Sequence, residues 1–275
     1  HIVKSRLRPL KYVLHSPGNE SIRLDCPDYR PSDPADAQLV ERIFEAYKRM
    51  KKDEASAKAV YAPSSLWRNH LDKDYVCFSD ALRDDDIAQF HFFLENFGAW
   101  RTYHGIESTT LITDNMRPYF KRRHVESDYF LQPLKMWNWY YNNKRDLSLL
   151  SYPRFGNQVG ALVDDSFIGA GSFFNEIYGS ILSGLVAGDD RPVIADLGAG
   201  YGKLAYFTLR DLRDFSFVDF DLPEVLCLAT YYLMKSFPSK QALLYGEAPY
   251  SAKSHGEYGL IFMPSFKIEN VGSQS

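Results

Sequence analysis

The stretch VIADLGAGYGK, residues 193–203, decides the fold of the second half of the chain. Three apolar residues lead into Asp196, and glycines follow at Gly198, Gly200 and Gly202 before a segment with helical periodicity begins. Glycine adopts positive φ readily and lets a ligand lie against the backbone. The amino terminus of a helix presents N–H groups that have no partner within the helix. The pattern therefore predicts a buried strand, a tight turn and a helix that together bind a ligand.

Strand and helix patterns alternate after this turn. We expect helices at 203–212 and 223–235, and strands at 193–195, 215–220, 242–245 and 260–263. Such alternation is typical of a parallel, doubly wound sheet. The fold class predicted for residues 151–275 is therefore α/β, with four strands.

Two common phosphate-binding patterns can be excluded for the glycine turn. A P-loop requires GxxxxGK followed by Ser or Thr, but Leu197 lies five residues before Gly202, and Leu204 follows Lys203. A dinucleotide fingerprint requires GxGxxG, and Lys203 occupies the last of these positions when the count starts at Gly198. The turn therefore does not match a site for nucleotide phosphates.

Acidic residues at the strand ends favour a cationic ligand. Asp196 would repel a pyrophosphate, but it suits S-adenosylmethionine, which has an ammonium, a positive sulfonium and no phosphate. Asp221 ends the next strand 19 residues after Gly202, close to the spacing of about 20 residues at which an acid accepts ribose hydroxyls. Asp219 is interpreted as a solvated or capping acid. We predict S-adenosylmethionine as the cofactor, bound by Asp196, Gly198, Ala199, Gly200, Gly202, Asp221 and the apolar side chain of Leu222.

Three segments carry a resemblance to a known family. DLGAGYGKLAYF (196–207), VDFDLPEVLCLATYYL (218–233) and LIFMPSFKIE (260–269) together resemble the bacterial sugar O-methyltransferases, a branch of the class I S-adenosylmethionine-dependent enzymes. The resemblance covers about residues 150–270. It implies a Rossmann-like domain in which Asp221 holds the ribose and Glu247 lies near the adenine. The reaction it implies is transfer of the sulfonium methyl group to a hydroxyl of a sugar or glycoconjugate.

Other functions remain open at this point. The Asp-Leu-Pro-Glu element that begins at Asp221 also permits methylation of a phenolic or polyketide hydroxyl. A non-catalytic, Rossmann-like binding subunit is a further alternative, although the presence of both Asp196 and Asp221 favours an enzyme. No catalytic residue is assigned, and among the seven histidines His104 has the most site-like neighbours. Since a complete class I domain has seven strands, we expect a C-terminally truncated domain, a fragment of a longer protein.

The first 150 residues predict a mostly helical N-terminal region that caps the sheet or contributes to substrate binding. Helical patterns begin at Asp33-Pro34 and near Asp84, a third covers 126–144, and a helix at 172–186 follows this region. No strand pattern of comparable strength precedes residue 190. We therefore expect two parts, residues 1–150 and residues 151–275.

Composition and charge exclude several classes of partner. The chain is 45% hydrophobic and 24% charged, with a net charge of −3 and no long basic run, so nucleic acid is not expected as a partner. Three cysteines without a CxxC pair indicate neither a zinc site nor a disulfide framework. Asp164-Asp165 is interpreted as a cap or turn, so no metal is predicted. No apolar run approaches the roughly 18–20 residues that cross a bilayer, and we expect a cytoplasmic enzyme without a membrane partner.

Overall fold

The computed structural model describes residues 22–25, 28–99, 132–163, 166–169 and 171–271. Its helices are α1 (Ala37–Glu54), α2 (Ser65–Asp74), α3 (Val76–Asp84), α4 (Ile87–Asn96), α5 (Gln132–Tyr140), α6 (Ser172–Leu185), α7 (Lys203–Leu209), α8 (Pro223–Ser236) and α9 (Ser254–Glu257). Its strands are β1 (Ile22–Asp25), β2 (Gly160–Val163), β3 (Ser166–Gly169), β4 (Val193–Leu197), β5 (Ser216–Asp221), β6 (Ala242–Leu244) and β7 (Leu260–Pro264). Short 3-10 segments include Pro34–Asp36, Ala59–Tyr61, Phe97–Ala99, Leu147–Leu150 and Ser265–Val271.

A parallel four-stranded sheet forms the second half of the described chain. Its strands lie in the order β4-β5-β7-β6. The register places Asp196 of β4 beside Asp219 of β5, and Asp221 beside Pro264 of β7. The two central strands, β5 and β7, are buried along their whole length, as parallel strands covered on both faces should be. The predicted α/β class with a parallel sheet is confirmed.

The order of the strands differs from that of a dinucleotide-binding sheet. Such a sheet has the order 3-2-1-4 in its first four strands, whereas the order here, counted from β4, is 1-2-4-3. Strand β4 therefore lies at an edge, and Val193 and Leu197 on one of its faces are 52% and 65% exposed. The prediction of a buried strand was right about the strand and wrong about its burial, because no described element covers that face.

The expected N-terminal helices are present, and two further helices accompany them. The Asp33 side chain accepts a hydrogen bond from the Ala35 N–H at 3.0 Å in the turn before α1, and Asp86 caps α4 by accepting from the Gln89 N–H at 2.9 Å. Helix α5 lies within the pattern expected at 126–144, of which residues 126–131 fall outside the described residues. Helices α2 and α3 had not been predicted. Helix α2 has no fully buried residue, so it lacks the apolar periodicity that would have revealed it.

A small antiparallel sheet lies before residue 190, where no strand pattern of comparable strength had been found in the sequence. Strands β1, β2 and β3 pair in that order, with Ile22 opposite Val163 and Gly160 opposite Gly169. Each strand has only four residues, which is too short for an alternating pattern to stand out. Because β1 pairs with β2, the N-terminal region is joined directly to the chain that follows residue 150.

One hydrophobic core extends from the N-terminal helices to the parallel sheet. Within it, Tyr47 of α1 stacks on Phe90 of α4 with ring centroids 6.0 Å apart, and its hydroxyl donates to Glu224 of α8 at 3.1 Å. The core thereby fixes α1 and α4 against α8, which packs on β5 and β7. A second cluster packs α5 and α6 against the antiparallel sheet through Trp137, Leu150, Ala161, Ile168 and Phe173. Among the described helices, none has the length and apolar character that spanning a membrane requires.

Candidate functional site

The glycine turn after β4 has backbone angles that other residues rarely adopt. The φ angles of Gly198, Gly200 and Gly202 are +82°, +63° and +90°, all in the region that glycine enters without a Cβ clash. A Cβ on Gly202 would lie 2.8 Å from the side chain of Leu233, whereas one on Gly198 would meet no atom within 4 Å. Gly202 is therefore required for packing against α8, and Gly198 faces open space.

Asp221 binds the glycine turn directly. Its Oδ2 accepts a hydrogen bond from the Gly200 N–H at 3.2 Å, and its Oδ1 accepts one from the Leu222 N–H at 2.7 Å. The residue is only 8% exposed. Burial raises the pKa of Asp221 to about 7, against the lowering effect of the two backbone hydrogen bonds; Asp196 and Glu224 raise it further. This carboxyl group therefore changes charge near neutral pH.

A cavity of about 410 Å³ opens where β4 and β5 end. Its size falls within the roughly 300–1,000 Å³ that is usual for small-molecule and cofactor sites. Five residues predicted to bind the cofactor line it together: Gly198, Ala199, Gly200, Asp221 and Leu222. The structure thus gathers the turn and the second acid around one space, at the carboxyl edge of the parallel sheet.

The remaining lining comes from segments that the sequence did not assign to a site. They are Ala62, Pro63, Ser64, Trp67, Leu197, Phe220 and Ser265. Ser64 caps α2, since its Oγ accepts a hydrogen bond from the Trp67 N–H at 3.3 Å. A serine in this position is a recognisable helix-start signal, so the start of α2 could have been found. Nothing local in the sequence indicates that Trp67 reaches the glycine turn.

Two more carboxyl groups lie on the strands beneath the turn. Asp196 is partly buried, and burial raises its pKa against a hydrogen bond from the backbone of Leu197. Asp219 is fully buried, and neither of its carboxyl oxygens has a hydrogen-bond partner among the described residues. Burial, followed by the charges of Asp221 and Asp196, raises the pKa of Asp219 well above its usual range. The interpretation of Asp219 as a solvated or capping acid was wrong, because the fully covered strand β5 leaves it no access to solvent.

Three of the predicted cofactor residues do not line the cavity: Asp196, Gly202 and Glu247. Glu247 follows β6 and accepts two hydrogen bonds from the Arg42 guanidinium, at 2.5 and 2.8 Å, and a third from the Leu244 N–H at 2.8 Å. Burial would raise the pKa of Glu247, but these hydrogen bonds hold it below its usual range. The structure therefore places Glu247 in an ion pair that joins α1 to the end of β6.

The cavity offers little acid–base chemistry. Asp221 is the one titratable side chain in its described lining, and two hydroxyl groups accompany it, those of Ser64 and Ser265. His104 and Asp164-Asp165 lie outside the described residues. His70 and His255 have partners elsewhere, since they lie 2.9 Å from Asp74 and 3.0 Å from the Tyr250 hydroxyl.

One cluster outside the cavity has the composition of a metal site. Atoms of Asp36, His91 and Glu95 that could bind a metal lie within 4.8 Å of one another. The two carboxylates already have other partners: Tyr231, Lys235 and Arg30. The Tyr231 hydroxyl contacts Asp36 at 2.6 Å and Glu95 at 2.5 Å. The cluster is thus an ion-pair and hydrogen-bond network that ties the start of α1 and the end of α4 to α8.

Comparisons with family models, curated proteins and solved structures found no match to this chain. The geometry of the cavity and the chemistry of its lining are therefore the basis for a proposed function.

Proposed function

We propose that this protein binds S-adenosylmethionine in the cavity at the glycine turn and transfers its methyl group to a hydroxyl of a sugar or glycoconjugate. The observation that carries the proposal is the hydrogen bond between the Gly200 N–H and Asp221 at the border of one cavity. The described lining contains an acid and neither Lys nor Arg. Such a lining favours a cationic ligand over a nucleotide, whose phosphates require cationic or N–H partners.

Asp221 is the proposed ribose ligand. An ionised carboxylate can accept about four hydrogen bonds, and two of these positions are taken by the N–H groups of Gly200 and Leu222. Two remain for a pair of ribose hydroxyls. Each such charge-assisted bond contributes about 1.5–3 kcal/mol. Leu222 and Phe220 add apolar surface that suits an adenine ring.

The residues around the cavity would promote the reaction mainly by alignment. When bound, S-adenosylmethionine supplies a methyl group on a positively charged sulfur. Ser64 and Ser265 line the cavity, and their hydroxyl groups are the proposed hydrogen-bond partners of an acceptor. Binding the two reactants in line removes much of the entropic cost of bringing them together in the transition state. Asp196 lies outside the described lining of the cavity, so its proposed role is limited to electrostatic attraction of the cationic ligand.

A second candidate is a non-catalytic binding subunit. It is favoured by one observation, the lack of a histidine, lysine or cysteine in the described lining that could accept the proton of an acceptor hydroxyl. A phenolic or polyketide acceptor is the alternative substrate class. Binding and turnover measurements separate the three possibilities.

The first experiment is calorimetry with S-adenosylhomocysteine, NAD and ATP on the purified protein. We expect S-adenosylhomocysteine to bind and the two phosphate-bearing nucleotides to show no comparable affinity. Tight NAD binding that competes with S-adenosylhomocysteine would contradict the assignment. Asp189→Ala serves as the control variant, because Asp189 is exposed and outside the cavity lining, and it should bind like the parent protein.

The second experiment measures transfer of a labelled methyl group to a panel of sugars, glycoconjugates and phenols. We expect turnover with a saccharide. Turnover restricted to phenols would favour the alternative substrate class. Cofactor binding without any turnover would favour the binding subunit.

A further inference from the structure

A second cavity lies at the carboxyl ends of β6 and β7, with a volume of about 380 Å³. Its lining combines basic, aromatic and small residues: Arg49, Lys52, Asp53, Tyr245, Gly246, Ala248, Pro249, Tyr250, Met263, Lys267 and Asn270. The basic side chains come from α1 and from the 3-10 segment that follows β7. None of the residues predicted from the sequence to bind the cofactor lines this cavity.

The charges in this second cavity are unbalanced. It contains three cations, Arg49, Lys52 and Lys267, and one acid, Asp53. The Tyr245 hydroxyl donates a hydrogen bond to Oδ2 of Asp53 at 2.6 Å. This bond holds the Asp53 carboxylate at the wall of the cavity. The lining therefore has an excess of two positive charges, in contrast to the net negative charge of the whole chain.

These three cations have no ion-pair partner among the described residues, unlike their neighbours on α1. Lys48 pairs with Asp85 at 2.6 Å, and Lys51 pairs with Glu224 at 2.9 Å. The Lys267 ammonium instead lies over the rings of Tyr245 and Phe266, 5.6 and 5.8 Å from their centroids. A ring face attracts an ammonium without neutralising its charge. The charge of Arg49 also helps to lower the pKa of Glu247, but that carboxylate is held in its ion pair with Arg42. The three cations can therefore bind an anion without an ion pair of their own being broken.

The two cavities are neighbours at the same edge of the sheet. Phe220 lines the first and Tyr250 the second, and their rings meet edge to face with centroids 6.0 Å apart. Met263 of β7 lines the second cavity, and Ser265, the first residue of the 3-10 segment that follows β7, lines the first. The contacting rings of Phe220 and Tyr250 therefore form part of the wall between the two cavities.

We propose that the second cavity binds the phosphate of a phosphorylated small-molecule acceptor, such as a sugar phosphate. A phosphate monoester carries about −1.5 to −2 charges at neutral pH, which matches the excess of two positive charges better than a single carboxylate does. The arginine supplies a planar pair of donors, and the lysines supply point charges. The assignment of this anion to the methyl acceptor rests on the proposed function, whereas anion binding itself does not.

The test is calorimetry with glucose 1-phosphate, inorganic phosphate, glucuronate and glucose on the purified protein without methyl donor. We expect glucose 1-phosphate and phosphate to bind, with affinity falling as salt is added, and glucose not to bind. Arg49→Gln and Lys267→Gln should each weaken phosphate binding by about tenfold. Lys144→Gln and Arg213→Gln are the matched controls, because both cations are exposed and outside this lining, and they should change nothing. Thermal melts of all four variants establish that each is folded.

Each outcome decides the proposal. Binding that depends on the phosphate and is lost in the two cavity variants alone supports it. Equal binding of glucose or of glucuronate, or equal losses in the control variants, overturns it. If S-adenosylhomocysteine fails to bind while phosphate binding persists, the proposed function fails and the anion site stands. If the cofactor binds and phosphate does not, only the anion site fails.

Discussion

The backbone N–H of Gly200 donates to Oδ2 of Asp221 across 3.2 Å, so the turn after β4 and the acid that ends β5 are bonded to each other. The register of the parallel sheet makes this contact possible, because it aligns the ends of β4 and β5. The shape of the turn and the position of the carboxylate therefore depend on one another. A ligand that uses both finds them already arranged.

The first prediction separates the two acids of β5. Asp221→Ala should weaken binding of S-adenosylhomocysteine at least tenfold, since it removes the acceptor of two charge-assisted hydrogen bonds worth about 1.5–3 kcal/mol each. Asp219→Ala should have a much smaller effect on affinity, because Asp219 is fully buried and does not line the cavity. Calorimetry on both variants measures the difference. Equal losses of affinity, or a larger loss for Asp219→Ala, would mean that Asp221 is not the residue that binds the ribose.

The second prediction is a pH dependence of cofactor affinity. Burial raises the pKa of Asp221 to about 7, so the group is neutral in mildly acidic solution and cannot accept two hydroxyl hydrogen bonds as a carboxylate. Affinity for S-adenosylhomocysteine should rise about tenfold per pH unit up to about pH 7 and then level off. Titrations from about pH 5.5 to 8.5 test this. The Asp221→Asn variant is the control, and its profile should be weak and flat; a flat profile in the parent protein would contradict the assignment.

The third prediction concerns stability and Asp219. Burial raises the pKa of Asp219 well above its usual range, so the folded state retains a proton that the unfolded chain releases above about pH 4. The contribution of this group to the free energy of unfolding is fully present below that pH. It declines as the pH rises toward the folded-state pKa, by up to about 1.4 kcal/mol per pH unit. Asp221 adds a decline of the same sign up to about pH 7.

Asp219→Asn tests the sign of this effect. The variant stays neutral at every pH, so it should be more stable than the parent protein at about pH 8 and should lose that advantage near pH 4. Urea denaturation at several pH values measures the free energy of unfolding of both proteins. A difference in the free energy of unfolding that stays constant across the pH range would mean that the pKa of Asp219 does not change on unfolding.

Features coded by neighbouring residues could be predicted from the sequence. The glycine turn, the strand that precedes it and the acid that ends β5 each follow from a local pattern, and the structure gathers Gly198, Gly200 and Asp221 around one cavity. Helix α1 was recognised for the same reason, because its apolar stripe and the Asp33 cap lie within one short segment.

Features that depend on distant partners could not be predicted. The pairing of β1 with β2 joins Ile22 to Val163, and nothing in four residues specifies a partner so far away. The insertion of β7 between β5 and β6 likewise depends on how whole layers of the fold pack together, which no local pattern specifies. Glu247 illustrates the same limit: the family resemblance implied a position near the adenine, whereas its ion pair with Arg42 of α1 is a contact that no local pattern specifies.

The fourth prediction follows from that ion pair. Glu247→Gln should lower the free energy of unfolding by about 1 kcal/mol or less, since the pair with Arg42 is partly exposed and screened by solvent. Affinity for S-adenosylhomocysteine should stay within about twofold, a change of under 0.5 kcal/mol, because Glu247 does not line the cavity at the glycine turn. Calorimetry and urea denaturation on the same variant measure both quantities. A large loss of affinity with unchanged stability would restore Glu247 as an adenine ligand.

The last prediction uses two glycines of the turn that share a backbone conformation and differ in their surroundings. Alanine at either position adopts a positive φ, which costs roughly 1–2 kcal/mol. At Gly202 the new Cβ also meets the buried side chain of Leu233 at 2.8 Å, which adds about 1–3 kcal/mol of overpacking. At Gly198 the Cβ meets no protein atom within 4 Å, but it points into open space at the wall of the cavity.

Gly198→Ala should therefore cost less stability and more affinity than Gly202→Ala. We expect Gly198→Ala to remain folded with a modest drop in melting temperature and to lose most of its binding of S-adenosylhomocysteine, because the methyl group occupies space that the ligand requires. Gly202→Ala should show the larger drop in melting temperature and bind with a smaller loss at a temperature where it is folded. Thermal melts and calorimetry on the two variants measure both effects. If Gly198→Ala bound the ligand as tightly as the parent protein, the ligand would not lie against the turn.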